Sequence, residues 1–344
     1  MRRHPCTPFS PLSPLTPPFA DRSTVRSSRT TAPPSPTSPT SYESRDSFTT
    51  SCTSSITRYP FENGRRYHAF KSGSYPLPND ELEQERLNVM HHMLKKALND
   101  RLFLAPTQHF QRVLDIGTGT GIWSQEMGDL YPQAEILGND LSPVQPSWVP
   151  PNVRFEVDDL ESRWAYSAPF DFVFSRCLTC AVSNWPRLVR QAYTNLRPGG
   201  WVEFQDCDIK FYAEDGSYHQ DSYTAQFMNL LIQAARGAGK DPCPGPKLER
   251  WIREAGFENV VHQQFKLPVG PWPKDERQKE VGLFNLAQAV DSTEAFSMRL
   301  FTSVLGWQLE EVQVLCAKVR SELKSKSSHR MFDYHVVYAQ KPQY

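Results

Sequence analysis

The sequence predicts an α/β fold, one doubly wound and mostly parallel sheet with helical insertions. Three observations carry that expectation. From residue 112 onward, short apolar runs alternate with stretches of helical periodicity. A bare turn, "GTGTG" at 117–121, follows the first apolar run. A second turn, Pro198-Gly199-Gly200, feeds another apolar run. Strands interleaved with helices imply parallel pairing.

Along the chain, residues 1–58 are rich in Ser, Thr and Pro and nearly free of large aliphatics. Such a segment buries too little apolar surface to offset its ordering entropy, so it reads as a disordered tail. Its repeated prolines leave no signal-peptide core and oppose an amphipathic targeting helix. Residues 59–344 read as the folded domain, with a core over about 105–210 and 250–344 and cap segments over about 60–104, 217–256 and 275–326. "NGRRYHAFKSGSYPLPND" reads as an ordered loop, and Asn79 or Asp80 can cap a helix. Leu87, Met90, Met93, Leu94, Ala97 and Leu98 then form one helical apolar stripe. Next come a buried strand "RVLDIG", a helix "IWSQEMGDLY", and strands "AEILGNDL", "VRFEVDD" and "FDFVFSR". A helix around "WPRLVRQAYTNL" precedes the turn and strand "RPGGWVEFQD", and "FENVVHQQFKL" and "YHVVYAQ" read as the last two strands.

Composition narrows the function. Lys+Arg and Asp+Glu both number 38, so bulk charge offers no grip on a nucleic acid. Seven cysteines, an odd count without framework spacing, fit a reducing compartment, cytoplasm or nucleus. No run of eighteen apolar residues predicts a membrane span.

The glycine turn discriminates among cofactors. A triphosphate loop needs Lys and then Ser or Thr behind its glycines, but Ile122 and Trp123 stand there. A dinucleotide fingerprint needs its third glycine at 122, one residue later than Gly121. S-adenosyl-L-methionine fits better. It carries no phosphate and asks for no cationic clamp, but it needs close backbone approach and acceptors for ribose, adenine and ammonium donors. Asp115, Asp140 and the pair Asp158-Asp159 end three successive strands, where such folds bind ligands. Gly117, Thr118, Gly119, Gly121 and Leu141 complete the expected cofactor-binding set.

These motifs resemble the class I S-adenosylmethionine-dependent methyltransferases, and more narrowly the fungal family of the velvet-complex methyltransferase that regulates secondary metabolism. The likeness runs from about Tyr59 to the end. "LSPVQPSWVPPNVRFEVDD" and "PWPKDERQKEVG" are its most particular segments. The resemblance implies a Rossmann-like seven-stranded sheet in the order 3-2-1-4-5-7-6, with the seventh strand antiparallel. It implies that Asp115 and the glycines line the methionyl and ribose side, Asp140 the ribose, and Asp159 with Asp158 the adenine. It places Ser175 and Arg176 at the cofactor's reactive end.

Methyl transfer from a sulfonium is a direct displacement, and a base is needed only where the acceptor must lose a proton. Catalytic residues are accordingly hard to read. Tyr67, His68 and Arg176 are candidates, the first two in a segment able to fold over the cofactor. His91 and His92 share a helix, one expected to pack and the other to face solvent. Asp206 either faces the ligand edge or caps the next helix. Cys177 and Cys180 form a CxxC without a second pair, so no metal is expected. The leading expectation is a small-molecule acceptor in fungal secondary metabolism, without direct nucleic-acid or membrane partners. A nuclear regulator acting with velvet-domain proteins, and a scaffold that has lost catalysis, stay open beside it.

Overall fold

Strand β1 (Arg112–Ile116) carries apolar Val113, Leu114 and Ile116 and is buried from Val113 onward, as the central strand of a parallel sheet must be. In the computed structural model, which describes residues 56–344, β1 pairs in parallel with β2 (Glu135–Asp140) and β4 (Phe170–Arg176). β3 (Val153–Val157) extends the sheet beyond β2, and β5 (Leu196–Cys207) extends it beyond β4. β7 (Met331–Gln340) runs antiparallel between β5 and β6 (Glu258–Pro268). The order is 3-2-1-4-5-7-6, the Rossmann-like methyltransferase sheet that the resemblance implied. Nearly all of the expected tail, residues 1–55, lies outside the described residues.

Alternation along β4 assigns the two faces. Phe172 and Phe174 pack under α2 (Ile122–Leu130), where Trp123 stacks on Phe174 at 3.9 Å and 2°. Val173 faces the opposite layer, built from Trp185, Leu188 and Val189 of α3 (Trp185–Asn195). The 217–256 segment divides. Its first helix, α4 (Tyr223–Gly237), packs with the cap, but α5 (Leu248–Glu254) belongs to the sheet layer, with Trp251 stacked on Trp185. The expectation of a cap running to 256 is corrected on that point, because Leu248, Trp251 and Ile252 give α5 an apolar face that the sheet covers.

The Pro-Gly-Gly turn also differs from expectation. It lies within β5 rather than ahead of it, and the register jumps from Phe170↔Leu196 to Phe172↔Trp201. Gly199 sits at φ 75°, which lets the chain fold over and meet the carbonyls of Lys341 and Pro342.

The cap consists of α1 (Glu81–Ala97), α4, α6 (Glu276–Val304) and α7 (Leu309–Lys324). Asp80 caps α1, accepting from the Glu83 amide. Arg65 forks onto both Asp80 oxygens at 2.7 and 2.8 Å, and Arg66 pairs with Glu81, so the basic "GRR" stretch braces this helix start. Phe227, Met298, Phe301, Val312 and Leu315 form the apolar contact among α4, α6 and α7. Among the described residues no helix is long and apolar enough to cross a membrane.

Candidate functional site

The strand order reverses between β1 and β4, and the crevice at their carboxyl ends holds the glycine turn. The end of β2 pins that turn. Asn139 accepts from the Gly117 amide through Oδ1 at 3.2 Å and from the Thr118 amide through its carbonyl at 2.9 Å. Asp140 Oδ2 accepts from the Gly119 amide at 2.9 Å, and Oδ1 from the Ser142 amide at 3.0 Å. Asp115 Oδ2 accepts from the Thr118 and Ser124 hydroxyls at 2.6 and 2.7 Å.

Two glycines do different work. Gly119 has φ 59°, and a Cβ there would meet only Leu87, at 3.6 Å, so the bare backbone faces the crevice. Gly121, at φ 76°, starts α2, and its Cβ would fall 2.4 Å from Phe155 Cζ. Gly121 thus lets α2 close on the sheet.

The cleft encloses about 1220 Å³, its open mouth included. Asp115, Gly117, Thr118, Gly119, Asp140, Leu141, Asp158, Asp159 and Arg176 line it. Gly121 and Ser175 do not: the one packs against Phe155, and the other is buried in β4. Sequence reasoning missed Glu83, Ser142, Glu161 and Leu178, which also line the cleft, and Asn139, which holds its floor. Only the neighbourhood of Asp140 could have flagged Asn139 and Ser142.

Burial pushes Asp140 up to about 6, with Asp115 adding to the rise and the Gly119 and Ser142 amides opposing it. Burial also raises Asp115. Asp159 behaves otherwise. Burial pushes it up, but Lys71 at 2.5 Å, the Glu161 amide and the Ser162 hydroxyl hold its carboxyl below the usual range. Asp158 accepts from the amide beside it, at 2.7 Å, and lines the cleft. The acid set and the bare loop fit S-adenosylmethionine: backbone can approach closely, and carboxylates await hydroxyl, amino and ammonium donors.

A second cavity of about 810 Å³ adjoins the first. Tyr75, Leu87, Met90 and Cys177 are walls of both. Phe211, Phe227, Phe296 and Phe332 make the far room apolar, while Arg86, Thr179 and Gln288 supply its polar points. Arg86 is clasped by Glu83 at 2.6 and 2.9 Å and donates to Gln288 at 3.1 Å.

Several expected residues lie elsewhere. Tyr67 is buried beneath Arg299 of α6, whose guanidinium carbon is 3.8 Å from the ring centre, and lines neither cavity. Burial raises its hydroxyl to about 12. His68 is buried too, within 3.3 Å of the Lys71 carbonyl, and burial lowers its basicity. The 59–80 segment does cover the cleft, but through Ser74, Tyr75, Pro78 and Asn79, with Asn79 bonded to Ser142 at 3.0 Å. Asp206 neither opens onto the cleft nor caps α4, which Ser222 caps. It accepts from the Leu178 and Cys207 amides and the Thr179 hydroxyl and so fixes the loop after β4. Cys177 and Cys180 are free thiols at φ 58° and 62°, and burial pushes the Cys177 thiol to about 12. His91 is buried and His92 exposed. With Glu126 they place three donor atoms within 4.8 Å of one another, but both His91 nitrogens already hold protein partners and Lys95 pairs with Glu126.

Similarity to known proteins agrees with this geometry. The methyltransferase-domain family model matches residues 89–263. Methyltransferase pytC of Aspergillus terreus is 50% identical over 299 residues, 86% of this chain and 92% of that protein. The secondary metabolism regulator laeA of Aspergillus fumigatus is 36% identical over 303 residues, 86% of this chain and 81% of the regulator. The protein-methionine methyltransferase laeA of Emericella nidulans is 35% identical over 306 residues, 85% of this chain and 79% of that enzyme. With half its residues shared along nearly the full length of a fungal methyltransferase, the chain belongs to the S-adenosylmethionine-dependent methyltransferases, on the branch that holds pytC and laeA.

Proposed function

We propose that this enzyme methylates a largely apolar small molecule of fungal secondary metabolism, bound in the phenylalanine-lined room beside the cofactor cleft. The observation that carries the reading is the shared wall. Tyr75, Leu87, Met90 and Cys177 border both spaces, so an acceptor in one abuts a cofactor in the other. An apolar lining with a few polar points suits a modest, largely apolar ligand.

Asp140, Asp158 and the Gly119 backbone would hold the cofactor, and Leu87, Met90 and Leu178 would keep water from the reacting centre. The cofactor, when bound, supplies a methyl on a sulfonium with a thioether as leaving group. Among the described residues, no carboxylate and no histidine lines the acceptor room. Its two thiols, Cys177 and Cys207, stay protonated at neutral pH because of burial. This supports an acceptor atom that attacks as it arrives, either a sulfur or nitrogen lone pair or an oxygen or carbon already ionised.

Labelled cofactor, offered with pure protein to extract from a strain lacking the gene, tests the reading. Label in an organic-soluble small product supports it. Label confined to protein overturns it in favour of the second reading, a nuclear regulator acting with velvet-domain partners. Support for that reading is the 36% identity to laeA, and a protein acceptor would accord with the name of the Emericella relative, a protein-methionine methyltransferase. Co-purification with velvet-domain proteins would be its mark.

A further inference from the structure

Among the described residues, seven charged ones line the cofactor cleft, and six of them are acids: Glu83, Asp115, Asp140, Asp158, Asp159 and Glu161. Arg176, the last residue of β4, is the one cation. No carboxylate among the described residues lies within ion-pair distance of it, whereas Arg86 nearby is clasped by Glu83. S-adenosylmethionine carries two positive centres, sulfonium and ammonium, and a single anion, the methionyl carboxylate. A cleft with many acids and one unpaired guanidinium is the electrostatic complement of that molecule.

The one side-chain hydrogen bond that Arg176 makes among the described residues aims it. Its Nη2 lies 2.7 Å from His91 Nδ1. A guanidinium can only donate, so Nδ1 must accept, and the ring proton sits on Nε2. Nε2 lies 3.1 Å from Glu126 Oε1, which takes that proton, and Lys95 holds the other Glu126 oxygen at 2.5 Å. Lys95, Glu126, His91 and Arg176 thus form a chain from the surface of α1 and α2 to the cleft, with the buried imidazole locked in one neutral tautomer. Burial and then Arg176 lower His91 to about 3, so the lock holds across the physiological range.

We infer that Arg176 receives the methionyl carboxylate of the cofactor and that His91 is the positioning residue that orients it. The sequence argument asked for no cationic clamp on this cofactor; the fold supplies one guanidinium all the same. The inference rests on S-adenosylmethionine as cofactor and is independent of the acceptor.

Calorimetry on the full chain tests it with two ligands, S-adenosylhomocysteine and its decarboxylated analogue, which keeps the ammonium and lacks only the carboxylate. The wild type should prefer S-adenosylhomocysteine by ~10–100-fold. Arg176→Met should lose that preference while binding the analogue as before, and Arg176→Gln serves if the methionine variant folds poorly. His91→Leu should lose part of the preference and His91→Gln, which can still accept from Arg176 and donate to Glu126, should restore it. A merely structural role would weaken both ligands alike, and that outcome overturns the inference. So does a wild type that does not discriminate. Binding of neither ligand sinks the cofactor assignment itself and the inference with it.

Discussion

The cofactor cleft and the acceptor room share four wall residues yet are built in opposite ways. The cleft is made by backbone. Strand ends, a left-handed turn and the carboxylates that end successive strands fix it, and Asn139 and Asp140 hold the turn by its amides. The room is made by side chains from α1, α4, α6, the loop after β4 and β7, drawn together from residue 75 to residue 332. A site of the first kind is specified locally and tolerates little; a site of the second kind can be refilled by substitution. On this reading the fold commits to its cofactor and leaves its acceptor adjustable.

The largest expected effect falls behind the cleft, where α2 closes on the sheet. Gly121→Val places a branched side chain at φ 76° and into the Phe155 ring. Strain and overpacking together should cost ~2–6 kcal/mol in urea unfolding. An unchanged midpoint would contradict a packing role for Gly121.

Asp140→Asn removes a charged acceptor without changing shape. S-adenosylhomocysteine should then bind ~10–100-fold more weakly by calorimetry, and the unfolding midpoint should fall too, because the new NH2 meets one of the two amides, of Gly119 and Ser142, that the carboxylate accepts from. The sign of the pH effect follows from burial, which holds Asp140 at about 6 in the free protein. Below that pH the carboxyl is protonated and must release its proton to accept ribose hydroxyls. Affinity should therefore fall as pH drops from 7 to 5, by up to about tenfold per unit, and Asp140→Asn should flatten that dependence.

Phe296→Ala enlarges the acceptor room and leaves the cleft alone. The acceptor KM should rise ~10-fold while cofactor affinity moves less than about twofold. Equal changes in both would mean that the two sites are not separately built. The smallest effect belongs to Lys71→Ala. Lys71 is partly exposed, so its pair with Asp159 contributes about 1 kcal/mol or less, and S-adenosylhomocysteine should dissociate at most about fivefold faster in stopped flow.

The same contrast explains what the sequence reveals. Apolar runs and the spacing of glycines and acids disclose the strands and most of the cleft, because strand, turn and ligand edge are neighbours in the chain, while the order of the strands is what the family resemblance implies. The pairing of His91 with Arg176 spans 85 positions and leaves no local trace. Tyr67 misleads for a related reason. An aromatic in a covering segment looks like a ligand contact, but Arg299 of α6 caps its ring and Glu62 holds that arginine in place. Asp206 resembles a helix cap by position, yet the amides that claim it follow β4. The acceptor room has no signature at all, since each Phe that lines it satisfies the same apolar periodicity as a core residue.

Tyr75 belongs to two walls at once, and the stretch that carries it is tied down at Lys71 and Asn79. Whatever loosens that strap unseals both compartments together. Spent cofactor and methylated product would then share one way out.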